Sequence, residues 1–250
     1  MNVFLSLVVW LASIIIILIL LPVSSILWFI TYPFDENRRL FHKWMTWHGI
    51  ILSHIIPFWR IRIEGRENYS RDKTYVIISN HQSVLDILIL NCLRYRFRWI
   101  SKIENRKLPV LGWYLRMAKY ITIDRGNPDS KAVMMQKSVD SLRQGISIMI
   151  FPEGTRSLNT EIGPFKLGAF QMAIMADKPI LPVIVDGTGN ALPRHGLVFT
   201  PGHTLSIKVL EPIHPGSFGT ADPEELSVKL RAIMVEELGA LRNAKPDGEE

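Results

Sequence analysis

Residues 74–90 read TYVIISNHQSVLDILIL, and their pattern predicts a strand, a short turn and a helix. The apolar run at residues 75–79 has the length and β-branched content of a buried strand, and a second apolar run begins at residue 87. The turn between them holds His81 and, five positions on, Asp86. In open α/β sheets, ligands bind beyond the carboxyl ends of the strands. The stretch therefore indicates a functional turn on an α/β fold.

The same alternation continues along the chain. Further strands are predicted at residues 60–64, 97–101, 120–123, 146–151, 180–185 and 205–209. Helices are predicted at residues 83–93, 109–119, 128–143, 166–176 and from residue 222 onward. Strands alternating with helices favour an α/β domain with a largely parallel or mixed sheet flanked by helices. We assign residues 59–250 to this domain, which ends in an amphipathic helix.

The beginning of the chain is strongly apolar. Residues 1–32 contain no charged side chain. A bilayer core needs about 20 apolar residues to cross, so this run predicts a membrane helix, either continuous or bent by Pro22 into two pieces. A buried core helix is the alternative, although the run exceeds the usual length of a globular helix. A cleaved signal peptide is disfavoured, because no basic segment precedes the apolar run.

The following segment, residues 38–59, carries polar residues every three to four positions. This spacing predicts an amphipathic helix lying on the bilayer, so residues 1–58 form a predicted anchor of hydrophobic and interfacial helices. Arg38, Arg39 and Lys43 directly follow the apolar run. The positive-inside tendency then places the rest of the chain on the cytoplasmic side of a membrane, which in a bacterium would be the inner membrane.

The charge of the chain is unevenly spread. The formal charge is +6, and residues 221–250 hold 4 Lys or Arg and 8 Asp or Glu, which leaves +10 (25 basic minus 15 acidic) on residues 1–220. That surface should attract anionic lipid head groups, phosphates or an acidic partner. Nucleic acid is disfavoured, because the basic residues are dispersed and adjoin a membrane segment. The single cysteine, Cys92, excludes an intramolecular disulfide framework and lies in an apolar segment typical of a buried thiol.

His81 and Asp86 form the candidate catalytic pair. If Ser83 caps the helix, Asp86 is its third residue and can reach back to accept one ring N–H of His81, which leaves the other ring nitrogen free as a base. Backbone N–H groups near Ser83 are then candidate donors to an oxyanion. The alternative is purely structural, because a serine followed three positions later by a carboxylate is also a capping box.

A second turn, residues 151–157, reads FPEGTRS and again follows a strand. Gly154 permits a tight backbone path, Arg156 offers a planar fork of donors that matches phosphate, Thr155 adds a hydroxyl, and Glu153 can orient Arg156 or the neighbouring backbone. An ordinary polar loop is the alternative. The sequence has no G-x-S-x-G, H-E-x-x-H, G-x-G-x-x-G or P-loop motif. A base without a protein nucleophile indicates a substrate that brings its own nucleophile.

These motifs resemble those of the glycerolipid acyltransferases. Residues 80–86 are similar to the family's H-x4-D signature, and residues 151–157 are similar to its second signature. An intermediate block of the family is matched by Lys102, Pro109, Gly112 and residues 121–125, and its last block by residues 180–183. Within the family, the apolar start and the length most resemble the bacterial-type 1-acyl-sn-glycerol-3-phosphate (lysophosphatidate) acyltransferases.

The resemblance implies transfer of a fatty acyl group from acyl-CoA or acyl carrier protein to the 2-hydroxyl of lysophosphatidate in the bilayer, giving phosphatidate. It implies no metal and no cofactor. His81 would be the general base and Asp86 its orienting carboxylate. Residues implied to bind the substrate phosphate are Glu153, Gly154, Thr155 and Arg156, with Arg125 and Lys102 as helpers. The alternatives are an acyltransferase for glycerol 3-phosphate or another lysolipid, and a non-catalytic phospholipid-binding membrane protein.

Overall fold

The computed structural model describes residues 2–56, 58–218 and 220–244, and its centre is a seven-stranded sheet. The strands are β1 (Arg60–Glu64), β2 (Val76–Ser79), β3 (Phe97–Lys102), β4 (Ile121–Ile123), β5 (Ser147–Ile150), β6 (Ile180–Asp186) and β7 (Thr204–Val209), in the spatial order β1-β7-β6-β2-β5-β3-β4. Neighbours from β6 to β4 are parallel, whereas β7 runs antiparallel to β6 and pairs in parallel with β1. The predicted α/β domain with a mixed sheet is confirmed.

Apart from α7, which the sequence pattern does not predict, the helices follow the predicted order. They are α1 (Asn2–Thr31), α2 (Arg39–His54), α3 (Leu85–Ile89), α4 (Leu111–Met117), α5 (Pro128–Arg143), α6 (Gly168–Ala176), α7 (Thr188–Ala191) and α8 (Pro223–Asn243). Asn127 and Asp222 cap α5 and α8 through their side chains, and a proline follows each cap, as is usual at helix starts. The predicted helix at residues 83–93 is shorter: α3 gives way to a 3-10 turn over Leu90–Leu93.

Both faces of the sheet are buried. Side chains of β2 alternate between the two cores, with Val76 and Ile78 facing α5, α6 and α8, and Ile77 facing the opposite side with α3. All four residues of β2 are buried, so the strand reads as a continuous apolar run rather than an alternating one. This burial fixes the turn after β2 at the carboxyl edge of the sheet.

Helix α1 continues unbroken through Pro22, so of the two predicted forms, continuous or bent into two pieces, the structure has the continuous one. A proline removes one backbone donor, and a long apolar helix tolerates that loss. Val3–Thr31 has a mean hydropathy of 3.1 and the length to cross a membrane, and 11% of its most apolar window is buried inside the protein. At its start, Ser6 accepts a hydrogen bond from the Phe199 N–H (2.8 Å) and Trp10 donates to the Leu197 carbonyl (2.8 Å), which ties α1 to the loop after β6.

Helix α2 turns part of its polar stripe toward the protein. A side chain at Gly49 would collide with the side chain of Asn91, and Ser53 Oγ lies 3.3 Å from the Cys92 sulfur. Trp47 and Ile51 are exposed on the other side. The polar spacing that indicates an interfacial helix therefore also serves close packing on α3 and the 3-10 turn, with Trp47 and Ile51 directed outward.

Candidate active site

The two turns singled out from the sequence meet at one edge of the sheet. β2 and β5 are parallel neighbours, so the turns that follow them leave the sheet side by side. The Ser157 N–H donates to the His81 carbonyl (2.7 Å), and the His81 ring stacks on Phe151 with the ring centroids 3.9 Å apart and the planes 8° from parallel. This stacking fixes the plane of the imidazole.

His81 and Asp86 form a hydrogen-bonded pair. His81 Nδ1 lies 2.7 Å from Asp86 Oδ2, and the Asp86 side chain is fully buried while that of His81 is 14% exposed. A carboxylate at Nδ1 fixes the tautomer in which Nδ1 carries the proton. Among the described residues, no side chain or backbone group bonds to Nε2, so this nitrogen is open to accept a proton.

The carboxylate of Asp86 is saturated by donors besides His81. The Gln82 and Ser83 N–H groups donate to Oδ2 at 2.7 and 2.9 Å, and the Thr188 hydroxyl donates to Oδ1. A buried carboxylate needs such partners. The expectation that N–H groups near Ser83 serve an oxyanion is therefore wrong for these two, because both are engaged by Asp86.

The start of α3 explains how the capping and orienting roles coexist. The helix begins at Leu85 with Val84 as its cap residue, rather than at a Ser83 cap. Ser83 Oγ accepts from the Leu85 N–H (3.3 Å) and donates to the Leu192 carbonyl (2.7 Å). Asp86 still reaches back over the first turn, as in a capping box, so one carboxylate both closes the helix start and holds His81.

Glu153 joins the two turns through the backbone. Its Oε1 accepts from the His81 N–H (2.9 Å) and its Oε2 from the Gly163 N–H (3.0 Å). Burial raises the pKa of the Glu153 carboxyl, while the N–H bonds from Gly163 and His81 oppose that rise. Both carboxylate oxygens are thus directed at backbone, as expected for a residue that orients the neighbouring chain.

The turn after β5 gathers cations that the sequence did not reveal. Gly154 has φ +72°, a conformation that favours glycine. The Lys166 ammonium passes 2.9 Å from the place where a Gly154 side chain would begin. Arg194 donates to the Arg156 carbonyl (2.8 Å) and to the Thr155 hydroxyl (3.0 Å). Lys166 and Arg194 thus join the half-buried Arg156 at this turn.

The end of β6 takes part in two further contacts of the site that sequence reasoning missed. The Asn80 side-chain amide donates to the Val185 carbonyl (2.7 Å) and accepts from its N–H (2.8 Å), which extends the pairing of β2 and β6 beyond Ser79. Thr188 stands directly after β6, where its hydroxyl reaches Asp86. The signal was available in principle, because Thr188 follows a predicted strand and carboxyl ends of parallel strands share one edge.

Lys102 and Arg125 lie at the same edge but farther along it. Lys102 ends β3, next to β5, whereas Arg125 follows β4, one strand beyond. Both side chains are exposed, and among the described residues neither hydrogen-bonds to the 151–157 turn. The structure places them on the rim of the site and not in its centre.

Taken chemically, the site offers an oriented base with an open nitrogen beside a group of cations. That combination can remove a proton from a hydroxyl on a substrate whose phosphate is held nearby. Within residues 2–56, 58–218 and 220–244 there is no group of three or more His, Cys, Asp or Glu side chains placed to hold a metal ion.

Comparisons with known proteins converge on one family. The family described as Acyltransferase matches residues 60–186. The chloroplastic 1-acyl-sn-glycerol-3-phosphate acyltransferase LPAT1 of Arabidopsis thaliana is 36% identical over 184 residues, which are 72% of this chain and 51% of that protein. The 1-acyl-sn-glycerol-3-phosphate acyltransferase alpha of Homo sapiens is 32% identical over 203 residues, 80% of this chain and 70% of that protein.

The chain spans about half the length of the plant and algal relatives it matches. In architecture it is similar to the crystal structure of the 1-acyl-sn-glycerophosphate acyltransferase PlsC from Thermotoga maritima. The TM-score is 0.81 at 24% identity, with 99% of this chain and 100% of that chain covered. The likeness extends the shared fold to the helices that precede the sheet.

Proposed function

This chain belongs to the acyltransferase family, and we propose that it transfers a fatty acyl group from a thioester donor to the 2-hydroxyl of 1-acyl-sn-glycerol 3-phosphate, giving phosphatidate. The observation that carries the proposal is the His81–Asp86 pair, whose open Nε2 lies beside the cation-bearing turn at residues 151–157. The relatives named for this acceptor support it, and the matched residues include both turns.

In the proposed reaction, His81 Nε2 takes the proton of the acceptor hydroxyl as that oxygen attacks the thioester carbonyl. The new C–O bond forms a tetrahedral intermediate, the C–S bond breaks, and the leaving sulfur receives the proton back from His81. Asp86 stabilises the imidazolium that exists between these steps. General-base help of this kind contributes about 10²–10⁴-fold. The donor is acyl-CoA or an acyl carrier protein.

For the acceptor phosphate we propose the N–H groups and side chains of Gly154, Thr155 and Arg156. Arg194 and Lys166 adjoin this turn and reinforce its positive charge. Glu153 contributes indirectly, because its two oxygens hold the backbone of both turns. Lys102 and Arg125 supply longer-range attraction from the rim.

Arg156→Ala should raise KM for the phosphorylated acceptor about 10–100-fold, because a charge-assisted contact to phosphate is worth about 1.5–3 kcal/mol. KM for the thioester donor should stay close to the wild-type value. The measurement is steady-state kinetics with each substrate varied in turn. Arg71→Ala is the matched control, since Arg71 is exposed in the loop before β2. Equal increases in KM for both substrates would show that Arg156 does not bind the acceptor phosphate.

We propose that residues 1–58 anchor the chain in a membrane and that residues 59–250 form the catalytic domain, with residues 1, 57, 219 and 245–250 outside the described part. The exposed apolar surface of α1 supports the anchor. Arg39 and Lys43, exposed just after α1, support a cytoplasmic position for the catalytic domain. In this arrangement the lysolipid arrives from the bilayer and the thioester donor from the cytosol.

A panel assay tests the proposed acceptor. Purified protein is assayed with 1-acyl-sn-glycerol 3-phosphate, glycerol 3-phosphate or lysolipids with larger head groups as the acceptor. Each acceptor is combined with acyl-CoA and, separately, with acyl carrier protein that carries a fatty acyl thioester. We expect the highest kcat/KM with 1-acyl-sn-glycerol 3-phosphate. A higher kcat/KM with another acceptor would identify that molecule as the acceptor instead. No turnover with any pair of acceptor and donor would favour a non-catalytic lipid-binding protein.

A further inference from the structure

A cavity of about 410 Å³ lies between α4 and α5. Its lining includes five cations and one carboxylate, which are Arg98, Arg106, Arg116, Lys119, Lys137 and Asp140. We call it the α4–α5 pocket. Its volume is in the range of sites that bind small molecules.

The α4–α5 pocket is separate from the proposed active site. Arg98 is the second residue of β3, and the pocket wall also includes Ile121, the first residue of β4. The active site lies at the opposite, carboxyl ends of these parallel strands. Lys102, at that end, lies four residue steps along β3 from Arg98, which corresponds to about 13 Å at 3.3 Å per residue. The proposed substrate phosphate therefore does not account for the cations of the pocket.

The charge of the pocket is not neutralised by the protein. Five cations against one carboxylate leave a formal charge of +4. Asp140 accepts a hydrogen bond from the Gln136 side-chain amide (2.9 Å), and in the part of the chain that the structure describes none of the five cations forms an ion pair. Cations gathered in a concave site repel one another and attract an anion.

Arg98 is buried and held by hydrogen bonds, which distinguishes the pocket from a patch of exposed surface lysines. It is 8% exposed, and its Nη1 donates to Ser141 Oγ (2.9 Å), which itself donates to the Lys137 carbonyl (2.7 Å). Arg98 Nε has no hydrogen-bond partner. Burial and the charge of Arg96 lower the pKa of this guanidinium. A buried cation is costly unless an anion compensates it.

The surroundings of the pocket point to a membrane surface. Tyr120 lines the pocket, and its ring lies against the His42 ring of α2 with the centroids 5.2 Å apart. Leu108, Leu111 and Trp113, at the start of α4, are exposed. Exposed tryptophan and leucine beside lysine and arginine are typical of the level of lipid head groups. The cations of α4 then stand where lipid phosphates are concentrated.

We propose that the α4–α5 pocket binds the phosphate group of an anionic membrane lipid, as a second lipid site apart from the catalytic centre. Arg98 supplies the fixed, buried donor. Arg116, Lys119 and Lys137 close around the phosphate from the exposed rim. The occupant would hold the catalytic domain against the bilayer beside α1 and α2, and its binding does not depend on the chemistry at His81.

Calorimetric titration of the detergent-solubilised full chain tests the proposal. Three probes are compared: short-chain phosphatidylglycerol, inorganic pyrophosphate and short-chain phosphatidylcholine, a zwitterionic reference whose phosphate charge is balanced by its choline group. Every protein carries Arg156→Ala, so that the proposed substrate site contributes little. The pocket variant is Lys119→Gln/Lys137→Gln, which alters only exposed side chains, and Arg98→Gln is the second variant, checked by thermal unfolding. Lys73→Gln/Lys178→Gln removes the same charge outside the pocket.

We expect saturable binding of phosphatidylglycerol, weakened about tenfold for each cation removed from the pocket and unchanged in the control. Saturation by pyrophosphate alone would retain a phosphate site but overturn the lipid as its source. No saturable binding, or equal weakening in the pocket variant and the control, would overturn the proposal altogether. Because turnover is not the readout, failure here leaves the proposed acyl transfer untouched.

Discussion

The His81→Ala protein should lose acyl transfer by about 10²–10⁴-fold, the contribution of a positioned general base. The loss should appear in kcat, because Nε2 of His81 acts on the hydroxyl proton rather than on the phosphate that fixes the acceptor. The fold should survive. Without the imidazole, Asp86 keeps the Gln82 and Ser83 N–H groups and the Thr188 hydroxyl as donors, so no buried carboxylate is left unpartnered.

Three measurements separate loss of chemistry from loss of structure in His81→Ala. Initial rates at saturating acceptor and donor report kcat, thermal unfolding reports stability, and sedimentation with membranes reports anchoring. His214→Ala is the matched control, because His214 is exposed and lies in the segment before α8. A near-normal kcat for the His81→Ala enzyme would contradict the proposed mechanism, whatever the stability of that variant.

Much of the fold follows from local sequence. The boundaries of α5 are predicted to the residue, because Asn127 and Pro128 mark its start and its apolar period ends with Arg143. Strand β2 is recognised because a strand buried on both faces is mostly apolar, and its only polar residue, Ser79, stands at its end. The position of β2 beside β5, which brings the two turns together, depends on the strand order, and local sequence does not predict that order.

The remainder depends on contacts between distant parts of the chain. Thr188 reaches Asp86 across 102 positions, and Arg194 reaches Arg156 across 38. No periodicity within either segment encodes these contacts. The predicted start of α3 at a Ser83 cap differs from the observed start for a related reason. Ser83 has the side chain of a cap residue, but its hydroxyl also bonds to Leu192, 109 positions away. Tertiary hydrogen bonds of this kind override local capping preference.

The second large effect is expected for Asp86→Asn, which should lower kcat by about 10²–10⁴-fold and by no more than loss of the base itself. Asparagine has one acceptor oxygen where aspartate has two. Three donors converge on Oδ2, so the amide should keep its oxygen there and turn its NH2 toward Thr188, which can accept. The geometry survives, but the negative charge that stabilises the imidazolium is lost. KM for the acceptor should change little.

Thr188→Val distinguishes charge from hydrogen bonding at Asp86. This change removes the donor to Oδ1 and leaves the 2.7 Å contact between Oδ2 and His81 in place. An unpartnered buried oxygen costs about 1–3 kcal/mol of stability, so thermal unfolding should shift downward while kcat falls less than about tenfold. If Thr188→Val lowered kcat as far as Asp86→Asn does, the hydrogen bonding of the Asp86 carboxylate, and not its charge, would determine how well His81 acts as a base. Steady-state kinetics and thermal unfolding of both variants decide between these accounts. If the charge matters, kcat should fall far more in Asp86→Asn than in Thr188→Val, whatever the loss of stability in each.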